Sequence, residues 1–169
     1  MGSKKVRISK AKQQRGQSLL EVALLLPLLL ALVLGVIELG RYAYMGILVD
    51  NAARAGAAWG TESVGNSTNT LGIQQAADND YQNNGQNPAL LTVTSSVACG
   101  CDNGSNSTGP SGWASAGACT STTSCPTGSQ FAVVVTVTAT GAYTPLFHYP
   151  WTPSQLSVQR EAVMRVSLN

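Results

Sequence analysis

Residues 13–44 read QQRGQSLLEVALLLPLLLALVLGVIELGRYAY, and their reading decides the fold. From Leu19 to Leu39 the only ionisable residues are Glu21 and Glu38. About 20 apolar residues, each rising about 1.5 Å, carry a helix across a bilayer core. Residues 18–40 are therefore predicted to span a membrane. The run is longer than the apolar core of a secretory signal peptide, and no small-x-small cleavage site ends it. It continues with helical periodicity into IELGRYAYMGILVDNAARAGAAWG at 37–60, so one long helix is expected over 17–59. Within hydrocarbon a carboxylate costs about 2.5–3.5 kcal/mol at a helix centre, so it is rare and functional by default. Glu21 needs a reason.

Before the apolar run, Lys4, Lys5, Arg7, Lys10, Lys12 and Arg15 supply six positive charges with no acid. The rest of the 169-residue chain holds four basic residues against all eight acids, near −4, beneath a formal net charge of +2. A basic segment abutting a span is retained in the cytoplasm and sends the remainder across. The patch is short and has no aromatic residue, so nucleic acid is not expected as a partner.

One way to process such a segment is to cut before the apolar run and leave the helix on the mature chain. "RG|QSLLE" suits that: Gly16 offers an unencumbered, extended backbone, Gln17 becomes the N-terminus, and Glu21 the fifth residue. The basic leader, the glycine and this glutamate resemble the type IV pilin-like proteins, whose precursors are cut after a glycine by a prepilin peptidase. The resemblance implies that the new ammonium group of one subunit pairs with Glu21 of a neighbour. Each charge left alone in apolar surroundings costs several kcal/mol, and pairing removes both penalties. The plain alternative, Glu21 snorkelling to the cytoplasmic interface, leaves the glycine and the leader without a joint explanation.

The likeness sharpens over residues 15–60. R-G-x4-E, Pro27 within LLLPLLL, G-x-I-E-x-G-R at Gly35–Arg41 and AAR-x-GA at Ala52–Ala57 are similar to the TadE family of minor pilins, or pseudopilins, of tight-adherence pilus systems. AYTPLF at 142–147 and REAVMRV at 160–166 also resemble that family. The major tight-adherence pilin fits poorly, being little more than one helix and usually carrying Glu-Tyr where this chain has Glu21-Val22. The resemblance implies a pilin-like α+β fold: a long membrane-spanning helix, then a small antiparallel β-sheet domain. It also implies other pilin and minor pilin subunits, the inner-membrane assembly machinery and membrane lipid as partners. Pro27 removes a backbone donor and bends the helix, either as a packing kink or as simple tolerance among neighbouring helices.

Four stretches of the chain are expected: a cytoplasmic leader at 1–16, the helix at 17–59, a linker and short helix at 60–88, and an exported β domain at 89–169. Glu38 with Arg41 and Asp50 with Arg54 have the i,i+3 and i,i+4 spacings of surface ion pairs, which mark the exit from lipid rather than chemistry. The small residues Ala52–Ala58, with Gly56, allow close approach and are read as the face on which the exported sheet packs. TESVGNSTNT reads as a linker and LGIQQAADNDYQNN as a short amphipathic helix with Leu71, Ile73 and Tyr81 as its apolar points. Strands are predicted over 89–98, 130–140 and 156–167. Phe131, Val133, Val135 and Val137 share a face of the second, and Arg160 is the odd member of an apolar face in the third.

Cys99, Cys101, Cys119 and Cys125 fall within a polar, low-complexity stretch at 99–125 on the exported side, where disulfides persist. Two bridges are expected. A Cys99–Cys101 ring would be strained, so each pairs with Cys119 or Cys125, the connectivity staying open. No metal or cofactor is expected: the cysteine spacing matches no common zinc knuckle, and Asp102 with Asn103 and Asn106 lacks the acids of a calcium loop. The N-x-S/T triplets at Asn66, Asn103 and Asn106 arise readily in Ser/Asn-rich sequence. AYTPLFHYPWTP at 142–153 is either a subunit contact surface or a rigid connection. The single histidine, His148, lies in it without a nucleophile motif, so no catalytic residue and no enzyme activity are expected.

The expected function is thus a minor pilin that is processed at Gly16–Gln17, lies in a bacterial inner membrane with its N-terminus cytoplasmic, and serves pilus assembly, priming or surface adhesion. A single-pass anchored binding domain that never enters a filament is the alternative.

Overall fold

The computed structural model describes residues 11–102, 114–115, 125, 127, 130–147 and 153–166. A helix of 51 residues, α1 (Ala11–Thr61), opens the chain and runs through Pro27 without a break. It starts earlier than the sequence suggests. Ala, Lys, Gln and Arg at 11–17 are strong helix formers, so the backbone at Gly16 and Gln17 is helical rather than extended. At its other end the Thr61 hydroxyl donates to the Ala58 carbonyl at 2.8 Å.

The chain divides into two compact units, Met1–Arg41 and Tyr42–Asn169. Among its described residues the first is helix alone. In the second, the rest of α1 is followed by a short helix α2 (Val64–Ser67), a longer α3 (Thr70–Asn83), a single 3-10 turn at Pro88–Leu90, and strands β1 (Leu91–Asp102), β2 (Ala114–Ser115), β3 (Gln130–Tyr143) and β4 (Leu156–Arg165). All strand pairs are antiparallel, in the order β2-β1-β3-β4. This is the α+β arrangement expected: a long apolar helix and three principal strands, with a two-residue strand added at one edge.

Local chemistry sets each start. Ser63 caps α2 by accepting from the Asn66 amide at 3.1 Å, and Asn69 caps α3 by accepting from the Gly72 amide at 3.0 Å. The segment read as a linker is thus partly helical, with Ser67 buried and its hydroxyl donating to the Val64 carbonyl. On α3 the buried residues are Ile73, Ala77 and Tyr81, spaced i, i+4, i+8. Leu71, expected among them, is 71% exposed. Two residues before Ile73, it lies about 200° around the helix and faces away.

Register places Val97, Cys99 and Cys101 of β1 opposite Val135, Val133 and Phe131 of β3. Ala162 and Met164 of β4 sit opposite Val137 and Val135. Val133, Val135, Val137 and Ala139 are fully buried in one core with Leu48, Val49, Ala52, Ala53 and Ala57 of α1. The other face of the sheet carries threonines and charged residues. There Arg165 pairs with Asp102 at 2.9 Å, and the register sets this pair on either side of the fully buried Ala132.

Two approaches demand glycine. A β-carbon on Gly141 would lie 2.6 Å from Val49 Cγ2, and one on Gly72 would fall within the Trp59 ring. The small-residue face of α1 meets α3 as well as the sheet: a β-carbon on Gly56 would lie 3.1 Å from the Ile73 carbonyl oxygen, and one on Gly60 would touch both Ile73 and Val135.

Candidate assembly site on the N-terminal helix

In the first unit, fourteen Leu, Val and Ile side chains between Leu19 and Leu39 remain 47–70% exposed, with Leu34 half-buried. Burying one such side chain yields about 1.5–3 kcal/mol, so a helix this apolar calls for a cover that the described residues do not supply. From Ser18 onward α1 is long and apolar enough to cross a membrane, and none of its most apolar stretch is buried within the protein.

Glu21 is exposed on this surface. It follows Gln17 by four residues, one helical turn, so the two positions share a face. In a chain that began at Gln17, Glu21 would stand one turn from the helix start and meet the positive end of the helix dipole. A chain beginning at Gln17 would therefore present a carboxylate and a new amine at the same end of the helix and on the same side. Pro27 has no N–H to give to the Ala23 carbonyl, one turn back.

Further along α1 the spacing-based ion pairs are present, Arg41–Glu38 at 3.6 Å and Arg54–Asp50 at 2.9 Å. Tyr42 stacks edge-on against Tyr143 with ring centres 5.5 Å apart. The Tyr81 hydroxyl donates to Met45 Sδ at 3.4 Å, and burial pushes its pKa up. On α3, burial raises the Asp78 carboxyl above its usual range, and a hydrogen bond from Gln74 opposes that rise.

Cys101 is bonded to Cys125, 24 residues on, and Cys99 is also disulfide-bonded. Both Cys99 and Cys101 lie on β1 rather than in the loop assigned to them, because the strand runs four residues beyond its expected end. As i and i+2 they point to the same, inner face. Cys119, Asn103, Asn106 and His148 lie outside the described residues. Asn66 is part of the fold, its amide donating to the Trp59 carbonyl at 3.3 Å. Of the 142–153 stretch, Leu146 and Phe147 are exposed.

Sequence reasoning missed three contacts: Gly72 under Trp59, Asp102 with Arg165, and Arg160 over Gly46. Only the last left a trace in the pattern, as a charge on an otherwise apolar face.

These features define a class: an α+β protein with a membrane-competent N-terminal helix whose second half is packed into a small antiparallel domain. Residues 16–58 match the family described as TadE-like protein, so the segment that holds Gly16, Glu21 and Pro27 is similar to that family. No curated protein and no solved structure matches the chain.

Proposed function

We propose that this protein is a minor subunit of a tight-adherence pilus with a structural rather than catalytic role. It is made with a basic leader, cut after Gly16 by a prepilin peptidase, and held in the inner membrane with its sheet domain exported until assembly withdraws it. The observation that carries this reading is the bare apolar half of α1, which lipid covers first and other pilin helices cover later. The TadE-like match over the same residues supports it.

Proteolysis creates an ammonium group at Gln17, and Glu21 of an adjoining subunit neutralises it. An uncut chain has no amine at that depth, so processing licenses packing. The helical backbone at Gly16 adds a step: the peptidase must unwind a turn to reach the bond. Glycine, about 1 kcal/mol less helix-favouring than alanine, lowers that cost.

Intact-mass measurement of the protein from its own cells is expected to show a chain that begins at Gln17. Gly16→Arg should leave the leader attached, whereas Glu21→Ala should be cut and then fail to assemble. A native chain that retains residues 1–16, or normal pili with Glu21→Ala, would overturn the reading.

A further inference from the structure

On the inner face of β4, Leu156, Val158, Ala162 and Met164 are apolar or buried, and Arg160 interrupts them. Its side chain is exposed and lies over α1: a β-carbon on Gly46 would sit 2.9 Å from Arg160 Nη2. Nη1 donates to the Gln159 carbonyl at 2.8 Å, which is the one hydrogen bond described for a group with five N–H donors. Among the described side chains, Arg41, Arg54 and Arg165 each face a carboxylate, at 3.6, 2.9 and 2.9 Å. Arg160 has no such partner among the described residues. A planar cation seated on bare helix backbone, fixed by one bond and otherwise open, suits a planar array of anionic oxygens.

Its place along the chain says which anion. With the span ending near residue 40, Gly46 follows by six residues, about 9 Å of helix rise. The polar headgroup layer is about 5–8 Å deep on each side of the hydrocarbon core, so Gly46 stands at its outer edge, where a long arginine side chain meets headgroups. Tyr42 and Tyr44, both exposed, fall inside that interval, where tyrosine collects at membrane surfaces.

We propose that Arg160, seated on Gly46 with Tyr42 one helical turn nearer the span, binds the phosphodiester of a phospholipid headgroup in the outer leaflet and so holds the exported sheet against the membrane surface. This rests on the membrane-anchored reading above. Leaving the bilayer for a filament would break that contact, so it belongs to the state before assembly.

The test uses the full chain reconstituted in nanodiscs of phosphatidylglycerol and phosphatidylethanolamine. The phospholipid that stays bound after transfer to nonionic detergent is counted by native mass spectrometry. Retained lipid is expected on the unaltered chain and on Arg54→Gln, and is expected to be lost in Arg160→Gln. Gly46→Val should also lose it, since the added carbon displaces the guanidinium while Arg160 remains. Equal retention by Arg160→Gln and the unaltered chain would overturn the proposal. Displacement of the lipid by millimolar inorganic phosphate would also overturn it, by showing a free-anion site. Carbonate extraction of native membranes separates the two readings. If the unaltered chain is extracted, the anchor itself is wrong; if it stays while Arg160→Gln keeps its lipid, only the headgroup contact fails.

Discussion

Between Leu19 and Leu39, α1 presents a dense row of exposed aliphatic side chains; between Met45 and Gly60 the same helix presents Ala52, Ala53 and Ala57, all fully buried, and the bare positions Gly56 and Gly60. The two stretches are both apolar, yet apolarity serves different ends. In the first, no described neighbour limits side-chain size: among the described residues nothing lies within 4 Å of where a β-carbon on Gly35 would stand. In the second, Ile73 and Val135 limit size to almost nothing. Leucine suits a stretch left open to an apolar solvent, and alanine and glycine one where a helix and a sheet already press on the backbone. Hydropathy identifies the helix; side-chain volume shows which half meets its own fold.

Paired substitutions test that contrast. The largest separation should come from Tyr81→Ala against Leu29→Ala. Tyr81 is the largest fully buried side chain of the second unit, and losing a buried aromatic costs about 3–5 kcal/mol. Leu29 is 58% exposed, so its truncation should shift the stability of the fold by less than about 0.5 kcal/mol. Denaturant unfolding of the full chain in nonionic detergent, followed by tryptophan emission, reads both. Equal losses would erase the distinction between the halves.

A smaller separation is expected for added bulk. Gly56→Leu forces a side chain against the Ile73 carbonyl and should destabilise by about 1–3 kcal/mol. Gly35→Leu meets open space and should leave the same transition in place.

The smallest effect lies on α3, which covers the second half. Asp78 Oδ1 is buried without a hydrogen-bond partner, and burial raises its carboxyl pKa in the folded chain. The folded state therefore holds this proton to higher pH than the unfolded chain, and the stability it contributes is lost as pH rises through the folded value. Asp78→Asn should melt slightly above the unaltered chain at neutral pH, with the difference closing in acid, where both states carry the proton. A difference that widens in acid would reverse the assignment.

Much of this was legible beforehand because it rests on periodicity. The period of two in QFAVVVTVTAT placed Val133, Val135 and Val137 on one buried face, and the lack of turn signals after Leu39 kept α1 whole. The misses share a cause: they depend on what lies across a gap in sequence. Nothing local to Ala52–Ala58 says that α3 sits on it, and Leu71 looks as apolar as Ile73 until the helix phase is fixed. Cys99 and Cys101 sit in a strand because β3 pairs with them, whereas their own sequence, CGCDNG, reads as loop. At the candidate assembly site, Gly16, Gln17 and Glu21 were legible as a spacing. The winding of α1 through Gly16 was not, since the glycine concealed six good helix formers around it.

The Cys101–Cys125 bond joins the end of β1 to the approach of β3, so the chain between them forms a closed cassette whose two feet stay fixed. Substitutions in that interval that spare the cysteines and the β1-paired Ala114 and Ser115 leave the register of β1 with β3, and hence the buried faces of Val97 and Val135, as it was. Sequence between those feet can therefore diverge among relatives while the buried sheet beside it is inherited intact.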